Sequence, residues 1–151
     1  MNRFWGWGRG SHDRPRITDE HLVQREGNPF FRVRYAHART RALSRNAAQL
    51  GFTGVPGTED GAGVETGALL DALDTYPHAL AAAARHRAPD RLTRHLVTVA
   101  DALLAFQHTV LPLGDEKPSA AHRSRLALAE AAGTVLAGGL SLLGIDAPEH
   151  L

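Results

Sequence analysis

Residues 28–51, NPFFRVRYAHARTRALSRNAAQLG, contain the pattern that decides the fold. Asn28 is a favourable helix cap, Pro29 suits the first helical position, and Gly51 is a typical stop. The stretch therefore predicts a helix of about six turns. Its apolar residues recur on one broad face, which we expect to be buried: Phe31, Tyr35, Ala36, Ala42, Leu43, Ala47 and Leu50.

The same helix carries the candidate binding residues. Arg34, Arg41 and Arg45 fall together on the opposite face, whereas Arg39 projects into the middle of the apolar face. A guanidinium among apolar residues needs a partner or a pocket open to a ligand. Tyr35 and Arg39 lie one turn apart and could together stack a base and hold a phosphate. Core packing of Tyr35, a buried ion pair of Arg39 and a solvated face for the other arginines stay open as alternatives.

The remaining sequence predicts more helices and no strand. The last helix is apolar on most sides, which is typical of a central helix, and its small residues Ala129 and Gly133 would let a neighbour approach closely. We expect an all-α, up-and-down bundle of about five helices. Besides the first helix, the predicted segments are a loop at 52–66, helices at 68–75, 77–87 and 89–111, a linker at 112–118, and a helix capped by Ser119 that ends at Gly144. The apolar stripe of the helix at 89–111 is Leu92, Leu96, Val99, Leu103 and Phe106.

Composition narrows the class of protein. The absence of cysteine excludes a disulfide scaffold, thiolate metal sites and a cysteine nucleophile. The nine histidines contain no pair three or four residues apart, since His78 and His86 are eight apart and His86 and His95 nine apart, so we predict no metal and no cofactor. No leader peptide and no apolar run of membrane-spanning length is present, which favours a cytoplasmic protein.

Charge is uneven along the chain. The net charge is +1, but residues 1–45 hold ten arginines against four acids. Residues 1–27 are rich in Gly, Pro and charge without a sustained period, which predicts a mostly disordered basic tail with a short helical turn near Thr18–Gln24. Trp5 and Trp7 in this tail could dock a partner.

The sequence from NPFFRVRYAHARTRALSR onward resembles the DALR-type anticodon-binding domain of the arginyl-tRNA synthetase family. The resemblance continues in order through LLDALDTYPHAL, APDRLTRHLVTVADALLAF, VLPLGDE and VLAGGLSLLGIDAPEHL, and covers residues 28–151. It implies two segments, a flexible basic tail at 1–27 and a helical domain at 28–151. The His-x-Gly-His and Lys-Met-Ser-Lys signatures of the family's catalytic domain are absent from the sequence, so we expect no enzyme activity from this chain on its own.

The resemblance implies that the first helix, the loop after it and the C-terminal tail face an anticodon. The implied tRNA-binding residues are Tyr35, Arg39, Arg34, Arg41, Arg45, His108 and Leu151. We predict a stand-alone module that binds arginine tRNA and assists a separate enzyme using that tRNA or its arginylated form. The alternative is a helical scaffold for a synthetase or a tRNA-dependent transferase that no longer binds RNA. The acidic loop at 52–66 and the tryptophan-bearing tail favour that alternative.

Overall fold

The computed structural model describes residues 28–57 and 64–147. The all-α prediction is confirmed for these ranges, although they contain four α-helices and a short 3-10 helix rather than five α-helices. The predicted basic tail, Trp5 and Trp7, and Leu151 lie outside the described residues. In chain order the elements are α1 (Pro29–Gln49), α2 (Val64–His86), α3 (Pro89–Phe106), the 3-10 helix (Gln107–Thr109) and α4 (Ala120–Leu142).

The helix count differs because α2 runs through Pro77 without a break. The sequence predicts a boundary there, since proline cannot donate to the carbonyl four residues earlier and its ring crowds that turn. Leu69 and Ala72 are buried before Pro77 and Ala83 is buried after it, so one packed face spans the proline. Tertiary packing therefore outweighs the local preference for a break. The loop predicted at 52–66 also ends earlier, because α2 already begins at Val64.

Two polar side chains bond to backbone carbonyls in the turn before Pro77. The Thr75 hydroxyl donates to the carbonyl of Asp71 at 2.9 Å, and Nε2 of His95 on α3 lies 2.8 Å from the carbonyl oxygen of Ala72. The Tyr76 ring stacks on His95 with 6.0 Å between the ring centroids. Burial raises the pKa of the Tyr76 phenol above its ordinary value, so this side chain is neutral over the physiological range.

The core is centred on α3 and α4, each of which contacts all three other helices. The predicted stripe of α3, from Leu92 to Phe106, is buried throughout. This helix ends at Phe106, earlier than predicted, because the chain tightens there into the 3-10 helix. Ser119 caps α4 as predicted, since its hydroxyl accepts from the His122 amide at 3.2 Å. No helix among the described residues is both long and apolar enough to cross a bilayer.

Two glycines on neighbouring turns of α4 have different surroundings: Gly133 is in close contact with α1, whereas Gly138 faces open space. A Cβ added at Gly133 would lie 3.1 Å from Cβ of Thr40 on α1 and would also meet the Thr40 hydroxyl, so this glycine sets the distance between α1 and α4. The Thr40 hydroxyl donates to the carbonyl of His37 at 2.6 Å and cannot move without losing that bond. Gly138 is exposed, and a Cβ there would meet nothing within 4 Å.

Substituting these two glycines by alanine is expected to shift stability in opposite directions. Gly138→Ala should raise the free energy of unfolding by about 1 kcal/mol, because alanine is the better residue in a helix interior. Gly133→Ala should lower it, because overpacking costs roughly 1–3 kcal/mol and exceeds the same helical gain. Urea unfolding of both variants beside the parent measures the difference. Equal stabilisation by the two substitutions would contradict the close approach at Gly133.

Candidate nucleic-acid interface

Helix α1 begins as the sequence predicts, but its buried face agrees with the prediction only in part: Ala36, Leu43 and Ala47 are buried as expected. The Asn28 side chain accepts from the Phe30 amide at 2.8 Å, and Pro29 occupies the first turn. Tyr35 and Leu50, both predicted to be buried, are 40% and 51% exposed. The residues that α1 does bury are Val33, Ala36, His37, Ala38, Thr40, Leu43 and Ala47.

The buried face is displaced because α1 packs closely against α4. At Gly133 the two helices are near enough that Thr40 fills the space between them, and the small or polar residues His37, Ala38 and Thr40 are buried. Phe31 and Tyr35 instead stack on each other, with 6.4 Å between ring centroids and 18° between ring planes. The alternative that Tyr35 belongs to the core is therefore wrong.

Arg39 is held by a side chain from a distant part of the sequence. Its Nε donates to Oε1 of Gln107 in the 3-10 helix at 2.8 Å, and the bond is partly buried. The partner is thus a neutral amide rather than the carboxylate of an ion pair. A guanidinium has five N–H donors, and this bond uses one of them while fixing the plane of the group. Phe31, Tyr35 and Arg39 are spaced four residues apart and form one column on the helix surface.

The other candidate cations lie outside this column, and Arg41 is on the far side of α1 from Arg39. Arg41 and Arg45 are exposed, and Arg34 is partly buried, with an Nε atom that has no hydrogen-bond partner. His108 is exposed in the 3-10 helix, directly after the Gln107 that holds Arg39. The Arg39–Gln107 bond joins α1 to the 3-10 helix, whose backbone packs on α3 and α4 rather than on α1.

Two contacts of this region are not apparent from the sequence pattern. Arg32 donates through Nε to Oδ1 of Asp101 on α3, and both side chains are half exposed. This pair joins α1 to α3 and neutralises one arginine of the basic segment. The role of Gln107 cannot be predicted from the sequence either. Gln107 is 68 residues from Arg39, and helical periodicity says nothing about contacts over that separation. Only the folded chain shows these partners.

The histidines with described contacts cap a helix or join neighbouring segments, and Nε2 of His122 lies 3.6 Å from Oε1 of Glu116. Nδ1 of His122 accepts from the Ser119 amide at 3.0 Å, and His122 lies against the Phe52 ring. His95 bonds the backbone of α2, as described above. Within residues 28–57 and 64–147, no three histidine, aspartate or glutamate side chains form a group that could hold a metal ion.

These helices and this surface define a small all-α domain with an arginine-rich, aromatic-bearing first helix. The chain belongs to the DALR anticodon binding domain family, which matches residues 33–151. It is also similar to the solved structure of Thermus thermophilus arginyl-tRNA synthetase, with 31% identity and a TM-score of 0.64. That similarity covers 79% of this chain but 20% of the synthetase. The family resemblance predicted from the sequence is confirmed.

Proposed function

We propose that this chain binds tRNA through the surface formed by α1 and the 3-10 helix. The observation that carries the proposal is the exposed Tyr35 ring, stacked on the half-buried Phe31, one turn before an arginine that Gln107 holds in place. The family match over residues 33–151 supports an anticodon as the target, and the similarity to an arginyl-tRNA synthetase supports arginine tRNA.

An anticodon loop suits this surface chemically. Its bases are single-stranded and can be splayed out, stacked on aromatic rings and contacted at their edges. Tyr35 offers an outward ring face for such a base, and the fixed fork of Arg39 matches a phosphate. We assign phosphate contacts to Arg34, Arg41, Arg45 and His108, and a contact at the end of the chain to Leu151. These roles rest on the surface position of the described residues and on the resemblance to the family.

We assign catalysis to a different protein, not to this chain. The similarity to the synthetase concerns 20% of that protein, and the family matched here is an anticodon-binding domain. We propose that the chain supports, in the cytoplasm, a separately encoded synthetase or tRNA-dependent transferase that uses arginine tRNA or its arginylated form.

Binding to three RNAs tests the function. The RNAs are an arginine tRNA, the same tRNA with a changed anticodon, and an unrelated tRNA, each at low and moderate salt. We expect the first to bind best. If about four arginines contact phosphates, log K should fall against log salt with a slope near −3, from roughly −0.7 per contact.

Two other results would contradict the proposal. Binding that does not depend on the anticodon and is lost at moderate salt would indicate only non-specific electrostatic attraction between RNA and a basic segment. Absence of binding to all three RNAs would favour the scaffold hypothesis, and the search would move to protein partners.

A further inference from the structure

A cavity of about 430 Å³ lies between α1 and α4, and of the residues proposed to contact tRNA only Arg41 is among its lining residues. Its lining includes His37, Arg41, Ser44, Glu130 and Thr134, with Ala137 as an apolar wall. Neither Tyr35 nor Arg39 lines it. Because successive residues turn by about 100°, Arg41 and Arg39 lie roughly 160° apart around α1. The cavity is therefore separate from the aromatic column.

The carboxylate in this cavity is positioned from two sides. The Ser44 hydroxyl donates to Oε2 of Glu130 at 2.7 Å in a partly buried bond. The backbone of Gly54 packs against the other oxygen, since a Cβ there would lie 2.5 Å from Oε1 of Glu130. A side chain larger than hydrogen at position 54 would displace the carboxylate. Glu130 is therefore an anchored acceptor rather than a mobile surface group.

The lining offers both an acceptor and a donor to a ligand. A carboxylate can only accept hydrogen bonds at neutral pH, and the Arg41 guanidinium can only donate them. The volume is in the lower part of the range for small-molecule sites, which suits one nucleoside. Guanine offers N1–H and N2–H donors on one edge and the acceptors O6 and N7 on the next, and arginine recognises the latter pair with two bonds. Adenine has no N1–H and carries an amino group where guanine has O6.

We propose that this cavity binds a guanine base, either of a free nucleotide or of an unpaired guanosine in RNA. Glu130 accepts from N1–H and N2–H, Arg41 donates to O6 and N7, and Ser44 is a positioning residue for the carboxylate. Binding of a free guanine nucleotide does not depend on the proposed function, whereas binding of an unpaired guanosine in RNA rests on it.

The direct test titrates the full chain with GMP, IMP, AMP and CMP and follows backbone amide shifts. We expect saturable shifts at His37, Ser44 and Thr134 with GMP, and binding of IMP weaker by roughly tenfold because IMP lacks the N2 amino group. Shifts that do not saturate by about 10 mM GMP, or equal affinity for the four nucleotides, would overturn the proposal.

Variants separate recognition from folding. Glu130→Gln keeps an acceptor for the Ser44 hydroxyl but loses the charge, and should weaken GMP at least tenfold. Ala137→Leu should block the cavity by volume. The matched control is Asp74→Asn, on the exposed surface of α2, which should bind GMP like the parent. Unchanged GMP affinity in Glu130→Gln would remove Glu130 from the site and overturn the assignment.

A competition experiment distinguishes the two sources of the base. An anticodon hairpin should displace GMP, and the same hairpin with inosine in place of its loop guanosines should displace it less well. Displacement by neither hairpin would overturn the RNA form and leave a free-nucleotide site. Tyr35→Ala should leave GMP affinity unchanged, so a failure of tRNA binding and a failure of this cavity give different results.

Discussion

Replacing Phe106 by alanine is expected to lower the free energy of unfolding by about 3–5 kcal/mol. Phe106 is fully buried and is the largest of the fully buried side chains in the described core. It is the last residue of α3, where the chain turns into the 3-10 helix. Its removal leaves a cavity in the middle of the bundle, and the surrounding helices can close that cavity only in part.

A loss of this size matters because the total free energy of unfolding of a typical domain is about 5–15 kcal/mol. Urea unfolding followed by circular dichroism measures it, with Leu113→Ala as the matched control. Leu113 is 75% exposed, so its truncation should change stability by at most about 0.5 kcal/mol. A similar small change for Phe106→Ala would show that the end of α3 does not belong to the cooperative core.

Phe106 also links stability to the candidate site. The Thr109 hydroxyl donates to the Phe106 carbonyl at 2.8 Å, which ties the 3-10 helix to the end of α3. The 3-10 helix in turn carries the Gln107 that holds Arg39. Core packing at Phe106 therefore helps to fix where the partly buried Arg39 guanidinium points.

Local signals were sufficient to predict most helix boundaries. Asn28 and Ser119 begin their helices as their cap chemistry predicts, and the apolar stripe of α3 has one consistent period. Pro77 shows where local rules fail, because its cost is small beside the buried face that continues through it. A break predicted from one residue carries less weight than packing summed over a helix.

The candidate site was less predictable for a physical reason. The sequence pattern assigns Tyr35 to the core, yet Tyr35 is 40% exposed, and Thr40 is buried at the close contact with Gly133. Partners such as Gln107 for Arg39 depend on how helices cross, and no periodicity within one helix contains that information. The residue types of the site follow from the sequence, but their partners require the fold.

Removing the Tyr35 ring is expected to weaken binding of arginine tRNA by about 5-fold to 150-fold, from roughly 1–3 kcal/mol of stacking per base. Tyr35→Phe should retain most of the affinity, because the ring face does the stacking. Since the side chain is 40% exposed and outside the core, Tyr35→Ala should unfold close to the parent. Fluorescence anisotropy with labelled tRNA measures the loss, and undiminished affinity in Tyr35→Ala would exclude this ring from the interface.

Arg39 should show a different signature, because it contributes both charge and orientation. Arg39→Ala removes a phosphate contact, so the salt slope should become shallower by about 0.7 as affinity falls. Arg39→Lys keeps the charge but lacks the planar fork that Gln107 holds, so affinity should fall while the slope stays near that of the parent. Arg94→Ala is the control, since Arg94 is an exposed arginine on α3 that pairs with Asp90. If Arg39→Lys bound as tightly as the parent, charge alone would account for Arg39, and its bond to Gln107 would serve only the fold.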